Sequence, residues 1–134
     1  MALNDTPSVN SSDDSALQPE HIQVLDLLAH AYLENRLPDK AAVLLAARNL
    51  LAPNDRRTLL ALTLAQLRSD KPQRALATLE QLALLGAMDA AFHLLRAQAL
   101  HALGQTDDAA SAMRAYVALR PSSAKASGAA PATL

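Results

Sequence analysis

The chain has no cysteine and no tryptophan, and its 134 residues include only three aromatics and three glycines. Without cysteine there is no disulfide framework, no thiolate metal site and no thiol nucleophile. Three glycines leave no glycine-rich phosphate loop, and no GxSxG elbow occurs. Isoleucine occurs once and valine four times. No run alternates with period two, so a sheet is not expected. The net charge of −1 gives no general reason to expect nucleic acid. No stretch approaches the roughly 18–20 uninterrupted apolar residues of a membrane span. The nearest one, Leu59–Leu67, runs into Arg68 and Asp70. The first twenty residues lack a basic segment followed by an apolar one, so a secretory signal is not expected.

What the chain does have is alanine (30) and leucine (27), both strong helix formers. The expected fold class is all-α, in one small domain. Leu59–Leu67, LLALTLAQL, is its centre. On a 3.6-residue helix Leu59 and Leu62 fall on one side, and Leu60, Leu64 and Leu67 on another. Such a helix is either buried on both faces or holds something on the second.

Punctuation residues divide the rest into six helices. Pro19 with Glu20, and Pro38 with Asp39, open the first two. Asn54 or Asp55 caps the third, and Pro72 sits in the first turn of the fourth. Gly86 ends the fourth and Asp89 caps the fifth; Gly104 ends the fifth, Thr106 caps the sixth, and Pro121 stops it. Short links make each helix antiparallel to its neighbour. Residues 1–18 are rich in Ser, Asn and Asp without periodicity, and 122–134 are low-complexity; both read as disordered tails flanking a domain at 19–121.

Within that domain positions repeat. Ala41, Ala75 and Ala109 are 34 residues apart, as are Asp39, Gln73 and Asp107. Leu45, Leu79 and Met113 keep the same interval, as do Leu51, Leu85 and Leu119. Leu28 and Leu62 match, and Arg96 breaks their column. Helix–turn–helix units of this period are the tetratricopeptide (TPR) signature. Leu28, Ala29, Tyr32, Ala41, Leu45 and Pro53 occupy that motif's large, small, aromatic, small, large and proline positions. Ala97, Ala109, Met113, Tyr116 and Pro121 do so again, while Thr63 and Gln66 make the middle copy degenerate. The chain therefore resembles a three-repeat TPR protein, with repeats at about 21–54, 55–88 and 89–121.

Little else carries chemistry. No two of the four histidines are spaced i,i+4, and no HExxH is present. His30 and His101 are the one pair placed to approach across a concave face, and partner-facing imidazoles are the simpler reading than a metal site. No metal, cofactor or enzymatic activity is expected. Arg56 and Arg57 sit in the first turn of the third helix, where the macrodipole disfavours cations. They read as plain surface residues or as an answer to an acidic partner.

The resemblance implies a concave groove lined by the first helix of each repeat. Its positions are here Gln23, Asp26, His30 and Leu33; Arg57, Leu60, Leu64 and Leu67; Ala91, Leu94, Gln98 and His101. Leu33, Leu60, Leu64, Leu67 and Leu94 would form an apolar floor, with Arg57, Gln98 and His101 at its polar margin. The competing expectation is that a tightly wound array buries part of this stripe against itself. The segment Phe92–Leu119 and the helix before Pro53 look most like the small assembly chaperones of bacterial type III secretion, the SctY (YscY-like) family. That resemblance implies a cytoplasmic chaperone that keeps a small secreted, SctX-like partner soluble and engages the export gate's cytosolic domain. Chaperones of translocator or needle subunits, and a generic TPR scaffold such as a pilus-assembly protein, are the alternatives.

Overall fold

A computed structural model describes residues 19–120. The disordered-tail expectation for 1–18 and 122–134, and the stop at Pro121, lie outside the described residues. Within them the chain is all-helical, with six helices and no strand. They are α1 (Pro19–Glu34), α2 (Pro38–Leu51), α3 (Arg56–Arg68), α4 (Pro72–Leu84), α5 (Ala90–Ala102) and α6 (Thr106–Leu119). Each packs on its neighbour in sequence, and α3 also packs directly on α5.

The helix starts follow local chemistry. Pro38 and Pro72 begin α2 and α4, where a missing N–H costs nothing. Asp55 caps α3, its carboxylate accepting from the Thr58 N–H, and Asp89 caps α5 by accepting from the Phe92 N–H. Asp55, not Asn54, is thus the cap; Asn54 takes a positive φ of 68° just before it. Thr106 does not cap α6. It is the first helical residue, and Gln105 before it makes no side-chain cap. The 34-residue interval explains this, because Thr106 stands where Pro38 and Pro72 stand.

One turn recurs at that interval. Arg36, Asp70 and Gly104 all take left-handed backbone, with φ of 60°, 62° and 79°. The next residue in each case donates its N–H back into the preceding helix: Leu37 to the Tyr32 carbonyl, Lys71 to Gln66 and Gln105 to Leu100, at 2.8–2.9 Å. This six-to-one bond closes orphan carbonyls at a helix end. The next helix starts immediately afterwards, so consecutive helices lie side by side.

Small residues set how closely they lie. Ala29, Thr63 and Ala97 on the odd helices are buried, as are Ala41, Ala75 and Ala109 on the even ones. Thr63 fits an alanine position because its hydroxyl donates to the Leu59 carbonyl 2.7 Å away, leaving no unsatisfied donor. Gln66, at the aromatic position of the middle unit, accepts from the Thr78 hydroxyl at 2.8 Å and so ties α3 to α4.

Three apolar clusters result. Ala29, Ala41, Leu45, Leu62 and Ala65 join α1, α2 and α3. Leu59, Leu79, Leu82, Phe92 and Leu95 join α3, α4 and α5. Ala97, Leu100, Ala109 and Ala112 join α5 and α6. Leu59 and Leu62 are both core, but they enter different clusters, so α3 is buried on two sides. The Leu51, Leu85 and Leu119 column is exposed at the ends of the even helices and belongs to no cluster.

Ala75 has no accessible surface. Replacing it with leucine forces extra carbons into the α3–α4 crossing, and Ala75→Leu is expected to cost roughly 1–3 kcal/mol in urea unfolding. The same change at Ala77, exposed on α4, is the control and should leave the midpoint in place.

Candidate functional site

The candidate site comprises the expected groove residues of α1, α3 and α5. Its polar part is an open cleft of about 340 Å³ between α1 and α3. Asp26, His30 and Leu33 come to it from α1, Arg57 from the start of α3, and Leu45 and Arg48 form its floor from α2. Four of the expected groove positions thus meet in one place.

Leu60, Leu64 and Leu67 lie further along α3. They are half-buried and lean on the cluster of Leu59, Leu79, Leu82, Phe92 and Leu95. The stripe is therefore neither free surface nor sealed core. Its inner side supports the α3–α5 contact while its outer side remains accessible. Leu33 is in the same condition against the first cluster, and Leu94 on α5 is half-buried. Gln23, Ala91, Gln98 and His101 are exposed. His30 pairs with Glu34 at 3.1 Å on the exposed side of α1, while His101 ends α5. Among the described residues no three His, Asp or Glu side chains are grouped to hold a metal ion. None of their helices is long and apolar enough to cross a membrane.

Arg48 was not among the expected site residues, yet it organises the cleft. Its Nε donates to Asp26 Oδ1 at 3.0 Å and its Nη2 to Asp26 Oδ2 at 3.3 Å. Its Nη1 donates to the Ala52 carbonyl at 3.3 Å and lies 3.9 Å from Asp55 Oδ2. The guanidinium is largely covered, whereas both carboxylates remain partly open to water. The 34-residue interval carried a signal for it. Leu82 stands at the Arg48 position of the next unit, and Leu60 and Leu94 stand at the Asp26 position. An ion pair here takes the place of an apolar pair.

Asp55 is held by four neighbouring groups. Partial burial pushes its carboxyl up, but the Thr58 N–H and hydroxyl donate to it, and the Arg48 and Arg57 guanidiniums add favourable charge. Together these outweigh burial and hold it below the ordinary carboxylate value. Arg56 turns away from this cleft and bonds to the Asp89 carboxylate at the start of α5. It thus answers an acid within its own chain, which neither reading of the Arg56–Arg57 pair anticipated. Arg57 is exposed and pairs with no carboxylate among the described residues.

No protein-family model matches the chain, and no curated protein matches it either.

Two measurements check the cleft. Arg48→Leu strips Asp26 of its partner, and Asp26→Leu leaves a covered guanidinium with only the Ala52 carbonyl and the more distant Asp55 carboxylate. Each is expected to cost about 1–2 kcal/mol, less than a fully buried pair because the carboxylate is half in water. The double variant puts leucines where Leu60 and Leu82 stand one interval later and should recover most of the loss in a urea double-mutant cycle. The second concerns acid. The folded Asp55 carboxyl titrates below its reference value of 3.8, so it contributes stability in full above that pH. That contribution is lost as pH falls through the lowered value. Asp55→Asn keeps a cap but removes the titration, so its stability should fall less steeply with acid in that window.

Proposed function

We propose that the chain is a tetratricopeptide-type binding module of three helix–turn–helix repeats wound into a right-handed superhelix. In this reading the α1–α3–α5 face holds an apolar segment of a partner protein. The observation that carries it is the recurring turn at Arg36, Asp70 and Gly104, together with the buried small residues at matching positions. Each turn folds an odd helix back against the even helix that follows, and the even helix packs in turn on the next odd one. Stacking of such units puts the odd helices on one continuous surface.

The chemistry of that face supports a protein segment as its occupant. Leu33, Leu60, Leu64, Leu67 and Leu94 each keep part of their apolar surface open. Covering the remainder of each contributes less than the roughly 1.5–3 kcal/mol of a fully buried leucine. Several together, less the cost of ordering the segment, make a usable interface. Arg57, Gln98 and His101 supply donors at the margin that fix the register of a bound backbone.

The partner class comes from the resemblance to SctY-like assembly chaperones. The occupant is then a small secreted, SctX-like protein, held soluble in the cytoplasm and delivered to the cytosolic domain of the export gate. A secreted subunit with an exposed apolar segment aggregates before export. A leucine face takes up that segment, and the polar outer helices keep the pair in solution. No bond is made or broken in this reading, and no cofactor takes part.

Co-expression with a small secreted candidate, then co-purification and calorimetry, tests the proposal. Leu64→Ala combined with Leu67→Ala removes side chains from the accessible stripe. Affinity is expected to fall tenfold or more, about 1.4 kcal/mol, with cooperative melting retained. A folded double variant that binds the partner with wild-type affinity rules out this face.

A further inference from the structure

Both ends of the helical stack expose surfaces that the chain buries at equivalent positions inside it. At the C-terminal end Met113 on α6 is 40 % exposed. Leu79 and Leu45, one and two 34-residue intervals earlier, are 1 % and 3 % exposed. The difference lies in the next helix of the stack. Leu45 is covered by Leu62 and Ala65 of α3, and Leu79 by Phe92 and Leu95 of α5. Among the described residues no helix comes after α6, and Met113 lies open beside Ala110 and Val117 in a shallow apolar depression. Ala110 and Val117 stand where Leu76 and Ala83 pack against the second cluster.

The N-terminal end is the converse. Leu28 is 45 % exposed, and its equivalent Leu62 is 6 % exposed because it docks on α2. Val24 and Leu27 are also exposed. They stand 68 residues before Phe92 and Leu95, the two α5 residues that dock on α4. The outer face of α1 is therefore the kind of surface that docks, and the outer face of α6 is the kind that receives. Asp26 lies between Val24 and Leu27 in sequence but is turned to Arg48, and only Arg114 borders Met113.

We propose that these two faces are the halves of one interface, and that a second copy of this chain docks its α1 on α6 of the first, head to tail. The contact continues across molecules the α2–α3 and α4–α5 contacts made within one. Leu28 of the incoming copy stands over Met113 as Leu62 stands over Leu45. The two faces differ, so the contact is heterologous and each dimer keeps one free face of each kind. Assembly then proceeds beyond two copies with rising concentration. The proposal uses the ends of the stack and does not rest on the groove between α1 and α5.

Sedimentation of the full chain over a concentration series tests it. The weight-average mass is expected to climb from one chain through two and beyond. Leu28→Glu and Met113→Glu each spoil one face at an exposed position, so each variant should sediment as a single chain with an unchanged melt. Their equimolar mixture retains one good face on each partner and should form a species of two chains and nothing larger. If Met113→Glu lowers the melting midpoint, Val117→Glu, exposed on the same face, replaces it in both arms. A wild-type chain that keeps single-chain mass at every concentration overturns the proposal. So does self-association that survives either variant, or a mixture of the two folded variants that fails to form the pair.

Discussion

Burial on two sides of α3 is the constraint on which the rest depends. Leu62 and Ala65 close the cluster built on α1 and α2, and Leu59 closes the one built on α4 and α5. The two clusters share no other helix. Thr63 between them has no accessible surface and turns its hydroxyl back to its own helix, which keeps both contacts dry. Once two sides are spent in this way, the leucines left over are Leu60, Leu64 and Leu67. No further element among the described residues covers them, and they border the Leu59 cluster, so they are half-buried. Their intermediate state is a consequence of packing, and it leaves them a partly accessible apolar stripe on α3.

The architecture was legible because its punctuation is chemical. Proline at the first helical position, aspartate at a cap and glycine in a left-handed turn each have one physical use; α2 to α5 begin accordingly, and α4 and α5 end accordingly. Buried alanines at 34-residue spacing were legible for the same reason, since a crossing tolerates only small side chains. Thr106 was misread because threonine also caps helices; only its register with Pro38 and Pro72 distinguishes the two roles. The recurrence of the turn at Arg36 and Asp70 was not legible, because neither residue advertises a positive φ as glycine does at Gly104.

The site was legible in outline and not in charge. The tetratricopeptide resemblance implies groove positions that include Asp26, His30, Leu33 and Arg57, and these four line one cleft. The resemblance says nothing about which residue of another helix lies beneath them. Arg48 reaches that position from α2, 22 residues beyond its partner Asp26, and only comparison with Leu82 and Leu60 marks it as out of pattern. Exposure at the two ends was hidden in the same way. Met113 and Leu28 carry core-like side chains in core-like register, and the lack of a covering helix among the described residues is a property of the stack and not of the residue.

The position of α1 has a consequence for how the molecule responds to salt. This helix buries a single residue, Ala29, and its best-defined polar tie is the fork between Asp26 and Arg48. The helices α2 to α5 are held from two directions. Ala29, Tyr32 and Leu33 pack on the first cluster, and the partly solvated Asp26–Arg48 pair adds a salt-sensitive tie to α2. Salt screening weakens that tie without touching the apolar contacts of α3 to α6.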